Sequence, residues 1–339
     1  MCADFYAQSI DEQARRLTLL ATEALAAWPG RWSAPRLLKH RENAVFGVQR
    51  DDGLRAALRV HRADYHSDAR LRSELAWMSA LGEAGLTVPA VLPAACGSQF
   101  LRVGRKAVGG ERQIDMLGWI DGAPPCSSEE AHAAELSTLV TAYRQLGEVA
   151  ARVHLQSSGW EPPAGFDRHA WDSEGLIGEA PFWGRFWELA FLRPHHLDVL
   201  MRARAAAAQE LEAIGRSPRI YSMIHADMIP DNLMIDGEAV ALLDFDDAGF
   251  GWHMFELATA LYFCRAHPGY PVICDALFEG YEGVRPGVLD RAQLPLFLFL
   301  RGTTYLGWVH TRSETQTARE MTPMLIDMAC DAARAYLSA

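Results

Sequence analysis

Two short apolar runs, at 233–235 and 240–243, flank the turn residues Asp236-Gly237-Glu238. Runs of this length on either side of such a turn predict a β-hairpin. Asn232 precedes the first run and Asp244 ends the second, so the hairpin brings both residues to one end. An amide oxygen and a carboxylate together suit Mg²⁺, which binds hard oxygen ligands and completes its shell with water and phosphates.

A third polar residue, Asp227, lies five positions before Asn232 in the loop that leads into the hairpin. Phosphoryl transfer requires metal ligands that neutralise charge and a carboxylate that positions the nucleophile and accepts its proton. The spacing therefore predicts that Asp227 is the base or orienter of an attacking hydroxyl group. The alternative is that these acids are ordinary turn and cap residues. The whole pattern, HxDxxxxN followed by an apolar-flanked DFD, is much less often accidental than HxD alone.

The segment 225–246 resembles the aminoglycoside phosphotransferase and choline kinase superfamily, which has a protein-kinase-like fold. His225-Ala226-Asp227 with Asn232 is similar to its catalytic loop, and Asp244-Phe245-Asp246 to its counterpart of the kinase DFG motif. The resemblance extends to 146–154 and 249–258, and it is strongest to the branch of type II homoserine kinases and a bacterial stress-response Ser/Thr kinase. It implies a kinase that uses ATP and Mg²⁺. We expect His225 to hold the loop through backbone carbonyls and Asp246 to support the metal or substrate site.

The order of the remaining patterns predicts an α+β, two-lobe, protein-kinase-like fold. We expect an N-terminal helix in 1–30, a nucleotide-binding lobe with an antiparallel sheet in 31–120, and a mainly helical catalytic and substrate-binding lobe in 121–339. A helical apolar period at 5–27 predicts a helix that packs over a lobe. In the small lobe we predict one helix, at 66–84, and five short strands, at 44–48, 54–60, 88–91, 100–103 and 112–120.

The larger lobe reads as helices separated by one long loop. The linker 121–125 is followed by a helix at 129–155, with Ser127 or Ser128 as its N-cap. Residues 157–184 are rich in Gly, Pro and Trp and predict a loop. Further helices are predicted at 193–214 and across 253–339, with breaks near Pro268 and Pro286.

The nucleotide side follows from the resemblance. Kinases hold the α- and β-phosphates with a strand lysine paired to a helix glutamate, and Arg59 and Glu74 occupy those places here. Arginine can bind phosphate through two donors, although a solvated strand residue is the alternative for Arg59. Asn43 lies where the phosphate-covering turn would be and could adopt the backbone conformation of a glycine there. The backbone at Leu117 to Trp119 is expected to bind adenine, unless this segment is an edge strand whose aromatic residue packs in the core.

The net charge of −11 argues against a broad nucleic-acid or anionic-membrane surface, since such surfaces need clustered Lys and Arg. The charge is compatible with a cationic substrate, but solubility explains it as well. The six cysteines form no CxxC motif, and we find no signal peptide and no long apolar span. These features predict a cytoplasmic protein with reduced thiols.

Three acceptors or activities remain open from the sequence. The first is a small-molecule hydroxyl group, on an amino alcohol such as homoserine or on a cationic amino compound. The second is a protein Ser/Thr side chain, although the stretch after Asp244 is too short for a clear activation segment. The third is a catalytically silent nucleotide-binding relative. The tryptophan-rich stretch could line a substrate pocket or pack under the long loop; its members are Trp160, Trp171, Trp183 and Trp187. Three histidines are expected to be core or cap residues: His154, His253 and His310.

Overall fold

The computed structural model describes residues 5–40, 43–126, 134–237 and 239–339. These residues form two compact units. The first contains the residues up to Asp121 together with Pro162–Asp167, and the second contains Gly122–Glu161 and Arg168–Ala339. An antiparallel sheet dominates the first unit and helices dominate the second, which confirms the predicted α+β fold class.

The first unit is built on a five-stranded antiparallel sheet in the order β1-β2-β3-β5-β4. The predicted strand at 88–91 is wrong, because Val91 forms only an isolated bridge to Leu117. Pro89 lies within that run and cannot donate a ladder hydrogen bond. The strands are β1 Arg36–His40, β2 Ala44–Gln49, β3 Arg55–Val60, β4 Phe100–Arg105 and β5 Gly110–Gly118.

Two helices accompany this sheet. Helix α1, Ile10–Ala24, begins at Ser9, whose hydroxyl accepts a hydrogen bond from the Glu12 amide. Its buried face packs in one apolar core with residues of the sheet, which confirms the predicted packing helix; that core includes Leu17, Leu20, Phe46, Leu58 and Met116. Helix α2, Asp68–Glu83, begins after the N-cap Ser67 and agrees with the predicted helix at 66–84.

The second unit contains most of the helices. Helix α3 begins later than predicted, and its predicted N-caps Ser127 and Ser128 lie outside the described residues. The breaks expected near Pro268 and Pro286 are present. The helices are α3 Leu136–Gly159, α4 Ser173–Ile177, α5 Pro194–Ile214, α6 His253–Leu261, α7 Tyr270–Val284, α8 Leu294–Thr311 and α9 Gln316–Ser338. No helix in the described part of the chain is long and apolar enough to cross a bilayer.

Helices α3 and α7 meet through two glycines. A Cβ atom on Gly147 would lie 2.0 Å from the carbonyl oxygen of Leu277, and one on Gly280 would lie 2.0 Å from that of Arg144. Each helix therefore presses its backbone against the other at a position where no side chain fits. This contact fixes α3, which packs against strand β7, Tyr221–Ile224, and so supports the segment that leads into the predicted catalytic loop.

Two small sheets carry the polar loops of the second unit. Strands β6 Ala170–Trp171, β10 Gly249–Trp252 and β7 Tyr221–Ile224 form a three-stranded sheet in the order β6-β10-β7. Strands β8 Leu233–Asp236 and β9 Ala239–Leu242 form the predicted hairpin, with Leu233 opposite Leu242. The loop predicted at 157–184 is wrong in part, because β6 and α4 lie within it.

Candidate active site

The loop after β7 is anchored at its start by a buried carboxylate. Glu256 on α6 accepts hydrogen bonds from the His225 amide at 2.6 Å and from the Ala226 amide at 2.9 Å. Ala226 has a φ of 63°, a left-handed conformation that is costly for a residue with a side chain. Burial raises the pKa of Glu256 above its usual value, and the two backbone donors reduce that rise without cancelling it. These bonds hold the strained residue that immediately precedes Asp227.

The His225 side chain ties this loop to the hairpin. Its Nε2 donates to the Leu243 carbonyl at 2.8 Å, and its Nδ1 accepts from the Asp227 amide at 3.3 Å. The hydrogen bond to a backbone carbonyl that the sequence predicts for His225 is therefore present. It links the residue before Asp244 to the loop that carries Asp227.

Asp227 and Asn232 are in direct contact. The side-chain nitrogen Nδ2 of Asn232 donates to both the backbone oxygen and the Oδ2 atom of Asp227, each at 2.8 Å. The Asn232 amide oxygen is consequently the atom left for a metal ion. The Asn232 backbone oxygen accepts from the Leu243 amide at 2.8 Å, which brings the end of the hairpin beside the loop.

Three acidic residues follow β9, namely Asp244, Asp246 and Asp247, and their charges interact with that of Asp227. Asp244 is exposed and has a φ of 63°, so this segment is also strained. Burial raises the pKa of Asp247 well above its usual range, and the nearby charges of Asp227, Asp246 and Asp244 raise it further. The like charges of these carboxylates therefore favour the protonated form of Asp247.

Two side chains from a distant part of the chain hold this acidic loop, and one of them, Arg168, was not predicted from the sequence. The Arg168 guanidinium donates to the carbonyls of Asp246 at 2.5 Å and Phe245 at 3.3 Å. The Trp171 indole donates to the Asp247 carbonyl at 2.9 Å. Arg168 is buried, and a charged residue next to a short apolar strand is the signal that could have identified it.

A second missed residue contacts Asp227 itself. Arg301 on α8 forms an ion pair with the Asp227 carboxylate, with Nη2 at 3.1 Å from Oδ1. The arginine side chain is fully buried, whereas that of Asp227 is 24% exposed. The Asp227 carboxylate is therefore held at one oxygen by Arg301 and at the other by Asn232, and it remains partly accessible.

Arg59 on β3 forms the predicted ion pair with Glu74 on α2, at 2.9 Å. It also donates through Nε and Nη2 to both oxygens of Asp115 on β5, each at 2.8 Å, and His61 binds the same carboxylate. Burial raises the pKa of Asp115, but Arg59 and His61 lower it more, to about 2. The sequence reasoning missed Asp115. Its bidentate contact means that a phosphate would compete with two carboxylates for Arg59.

The other predicted nucleotide residues need correction. The Asn43 Oδ1 atom accepts a hydrogen bond from the Arg62 amide at 3.2 Å. Leu117 is not on an edge strand, since β5 lies between β3 and β4. The amides of Gly118 and Trp119 already donate to the Ala90 and Arg55 carbonyls. Adenine would therefore have to bind other backbone groups of this segment.

The remaining aromatic and histidine side chains are mostly packed. Trp171 and Trp183 are buried, as the packing alternative predicts. His154 and His253 are buried and stacked with ring centroids 4.1 Å apart, which confirms the expected core role. Burial lowers the pKa of both histidines well below its usual range. His310 is partly exposed and lies 3.9 Å from Glu188.

Comparisons with known proteins agree with this geometry. The structure of a microcompartment-associated aminopropanol kinase is 31% identical, with a TM-score of 0.81 over 94% of this chain and 97% of that one. An amicoumacin kinase solved with AMP-PNP, Ca²⁺ and Ami is 17% identical, with a TM-score of 0.73 over 95% of this chain and 96% of that one. The amicoumacin kinase of Bacillus subtilis (strain 168) is 24% identical over 311 residues, which cover 84% of this chain and 82% of that protein.

The family follows from the extent of the match. The model of the phosphotransferase enzyme family matches residues 33–291, which is most of the chain and includes the whole segment from Asp227 to Asp247. A match of this length together with the 31% identical structure leaves the protein-kinase and silent-relative alternatives without support. The chain therefore belongs to the phosphotransferase enzyme family, and its activity is that of a kinase acting on a hydroxyl group.

Proposed function

We propose that the enzyme transfers the γ-phosphate of ATP to the hydroxyl group of a small amino alcohol. The observation that carries the proposal is the Asp227 carboxylate, which is fixed at both oxygens and still 24% exposed. The 31% identity to an aminopropanol kinase over nearly the whole chain supports an amino alcohol as the acceptor. The net charge of −11 is compatible with a cationic amino group on that acceptor.

Asp227 is the residue that we assign to the acceptor. A hydroxyl group that donates to its carboxylate is oriented for in-line attack on phosphorus. As the new O–P bond forms and the bond to ADP breaks, the hydroxyl proton moves to the carboxylate. Arg301 and Asn232 keep that carboxylate in one orientation, so no search of side-chain conformations is needed before the reaction.

The metal site fits a divalent cation, and we assign Mg²⁺ to it. Asn232 uses its side-chain nitrogen on Asp227, which leaves its amide oxygen as a ligand atom, and Asp244 offers an exposed carboxylate. Hard oxygen donors of this kind suit Mg²⁺. When bound, the ion supplies positive charge that neutralises the phosphate oxygens. Asp246, two residues after Asp244, supports this site.

Each unit takes one part of the work in this proposal. The first unit, with Arg59 braced by Glu74, supplies contacts for the nucleotide. The backbone at Leu117 to Trp119 supplies groups for adenine, and Asn43 lies where the turn that covers the phosphates is proposed. The second unit supplies the catalytic and metal-binding residues and the acceptor pocket. We expect the enzyme to work in the cytoplasm.

Amicoumacin is the second candidate acceptor, because the chain is 24% identical to an amicoumacin kinase over 84% of its length. A panel assay separates the candidates. The purified enzyme is given Mg-ATP with 1-amino-2-propanol, ethanolamine, choline, homoserine, amicoumacin, an aminoglycoside or casein, and ADP release and the mass of the product are measured. We expect a phosphorylated amino alcohol with the highest kcat/KM.

The control variant is Asp227→Ala, which should abolish transfer and leave Mg-ATP binding intact in a thermal-shift titration. Phosphorylation of casein alone would refute the small-molecule acceptor. Full turnover by Asp227→Ala would refute the assignment of Asp227.

A further inference from the structure

We infer that Arg301 is a positioning residue for phosphoryl transfer, which sets the orientation of the Asp227 carboxylate. The inference rests on the catalytic role proposed above for Asp227. Arg301 lies in the middle of α8, far from Asp227 in sequence, and no catalytic motif of the chain includes it.

The Arg301 guanidinium binds both Asp227 and the residue before it. Its Nη2 donates to Oδ1 of Asp227 at 3.1 Å, and its Nη1 donates to the Ala226 carbonyl at 3.2 Å. One side chain thus holds both the carboxylate and the strained peptide unit before it. Asn232 holds the second carboxylate oxygen, Oδ2, at 2.8 Å. Rotation of the carboxylate would break one of these two bonds.

The guanidinium of Arg301 is itself held by a tyrosine hydroxyl and by aromatic rings. Tyr305, one turn further along α8, accepts from Nη2 at 2.9 Å. The guanidinium carbon lies 4.3 Å from the Tyr305 ring centroid, 5.2 Å from that of Trp183 and 5.8 Å from that of Phe255. A planar cation among aromatic rings is restricted in rotation. Arg301 is therefore a rigid support for Asp227.

The burial of Arg301 is energetically costly. Removing a guanidinium from water is costly, and a buried ion pair often stabilises a fold no better than apolar residues of similar volume. The Arg301 side chain is fully buried, and its Nε has no hydrogen-bond partner among the described residues. Stability alone would favour an apolar residue in this position of α8. The contacts that Arg301 does make are directed to the residue proposed to orient the acceptor.

The loss of Arg301 is expected to affect the chemical step more than the binding of Mg-ATP. The hydrogen bonds of Arg301 within the described residues go to Ala226, Asp227 and Tyr305, so they support the proposed acceptor base and not the proposed nucleotide contacts. Loss of Arg301 should therefore lower kcat and leave the affinity for Mg-ATP close to that of the wild type. Replacing a side chain that only stabilised the fold would lower the melting temperature without this selective loss of kcat.

The test compares three variants with a matched control. Arg301→Met removes the charge and the donors but keeps an extended side chain, and we expect kcat to fall about tenfold to 100-fold with an unchanged KM for ATP. Arg301→Lys keeps the charge but not the planar set of donors, so its kcat should be intermediate. Tyr305→Phe keeps the ring and removes one support of Arg301, and its kcat should fall least.

Arg112→Met is the control, because Arg112 is another buried arginine, stacked on Phe5 and Tyr6 in the other unit. It should lower the melting temperature and keep the wild-type kcat per folded enzyme. An Arg301→Met enzyme that is folded and has wild-type kcat would overturn the inference. A loss of kcat matched by an equal loss of Mg-ATP affinity would overturn it too, since that pattern indicates a general structural role.

If Arg301→Met does not fold, the other two variants decide: unchanged kcat in both Arg301→Lys and Tyr305→Phe refutes the positioning role. Asp227→Asn is measured alongside them. Full activity of Asp227→Asn would refute the proposed function of Asp227 itself. An inactive Asp227→Asn enzyme together with fully active Arg301 variants would refute only the inference about Arg301.

Discussion

Replacing Glu256 by Gln tests whether the strained start of the catalytic loop is held by a buried carboxylate. In the wild type both oxygens of Glu256 accept backbone N–H groups, from His225 at 2.6 Å and from Ala226 at 2.9 Å. Glutamine has one acceptor oxygen, and its NH₂ group would face the other N–H donor. One buried amide therefore loses its partner, while the shape of the side chain is nearly unchanged.

The expected loss of stability follows from these contacts. A hydrogen bond to a charged group contributes about 1.5–3 kcal/mol, and an unsatisfied buried donor costs about 1–3 kcal/mol. Burial raises the pKa of Glu256, so the carboxylate carries a desolvation cost that the neutral amide avoids. We therefore expect the free energy of unfolding to fall by about 2 kcal/mol, less than the sum of the lost bonds.

The expected loss of activity has a different origin. The left-handed conformation of Ala226 costs about 1–3 kcal/mol, and the two bonds to Glu256 help to hold it. When one bond is lost the loop can relax, and a displacement of about 1 Å at Asp227 would lower kcat about 100-fold. Arg59 and β5, which carry the proposed nucleotide contacts, belong to the other unit, so the KM for ATP should change little.

The assay combines chemical denaturation followed by circular dichroism with kcat at saturating ATP and acceptor. Asp290→Asn is the control, because Asp290 also accepts a backbone N–H, from Ala292, but in a turn that does not touch the catalytic loop. It should leave kcat unchanged. A Glu256→Gln enzyme with wild-type kcat and wild-type stability would refute the idea that Glu256 holds the loop.

Three other predictions concern stability. Burial, with the charge of Arg285, lowers the pKa of His154 and His253, so only the unfolded chain binds protons at these residues as the pH falls below about 6.5. The free energy of unfolding should then fall by about 1.4 kcal/mol per pH unit for each histidine. His154→Gln should reduce that slope between pH 7 and pH 5. The Asp115 pKa of about 2 lies below its usual 3.8, so this carboxylate stabilises the fold by about 2 kcal/mol above pH 4 and loses that contribution as the pH falls toward 2; Asp115→Asn should remove it in urea denaturation at pH 7. Gly147→Ala places a Cβ 2.0 Å from a carbonyl oxygen and should lower the unfolding free energy by about 1–3 kcal/mol, whereas Gly283→Ala, with open space around its Cβ in α7, should be neutral or slightly stabilising.

Local patterns predicted much of the fold. The helices at 68–83 and 194–214 and the hairpin at 233–242 were predictable because their periodicity, caps and turn residues all lie within the element. Strand β1 was harder, since Arg36–His40 contains two apolar residues between basic ones and is stabilised by pairing with β2. The reverse error at 88–91 has the same cause, because an apolar run becomes a strand only where a neighbouring strand can pair with all of it.

The same distinction between local and long-range contacts applies to the candidate site. Asp227, Asn232 and Asp244 could be identified because one loop and one hairpin carry all three. Glu256, Arg301 and Asp115 could not be given their partners, because each contact joins residues that are distant in sequence and depends on how helices or strands pack. The sequence nevertheless contains a usable signal at two of them. Arg301 follows an apolar run in α8 and Asp115 lies between two apolar residues in β5, and charged residues are almost never fully buried without a partner. A lone charge in an apolar element of this chain therefore predicts a tertiary ion pair. At Arg301 that pair is with the residue proposed to orient the acceptor, so the activity of the Arg301 variants also tests this way of finding supporting residues.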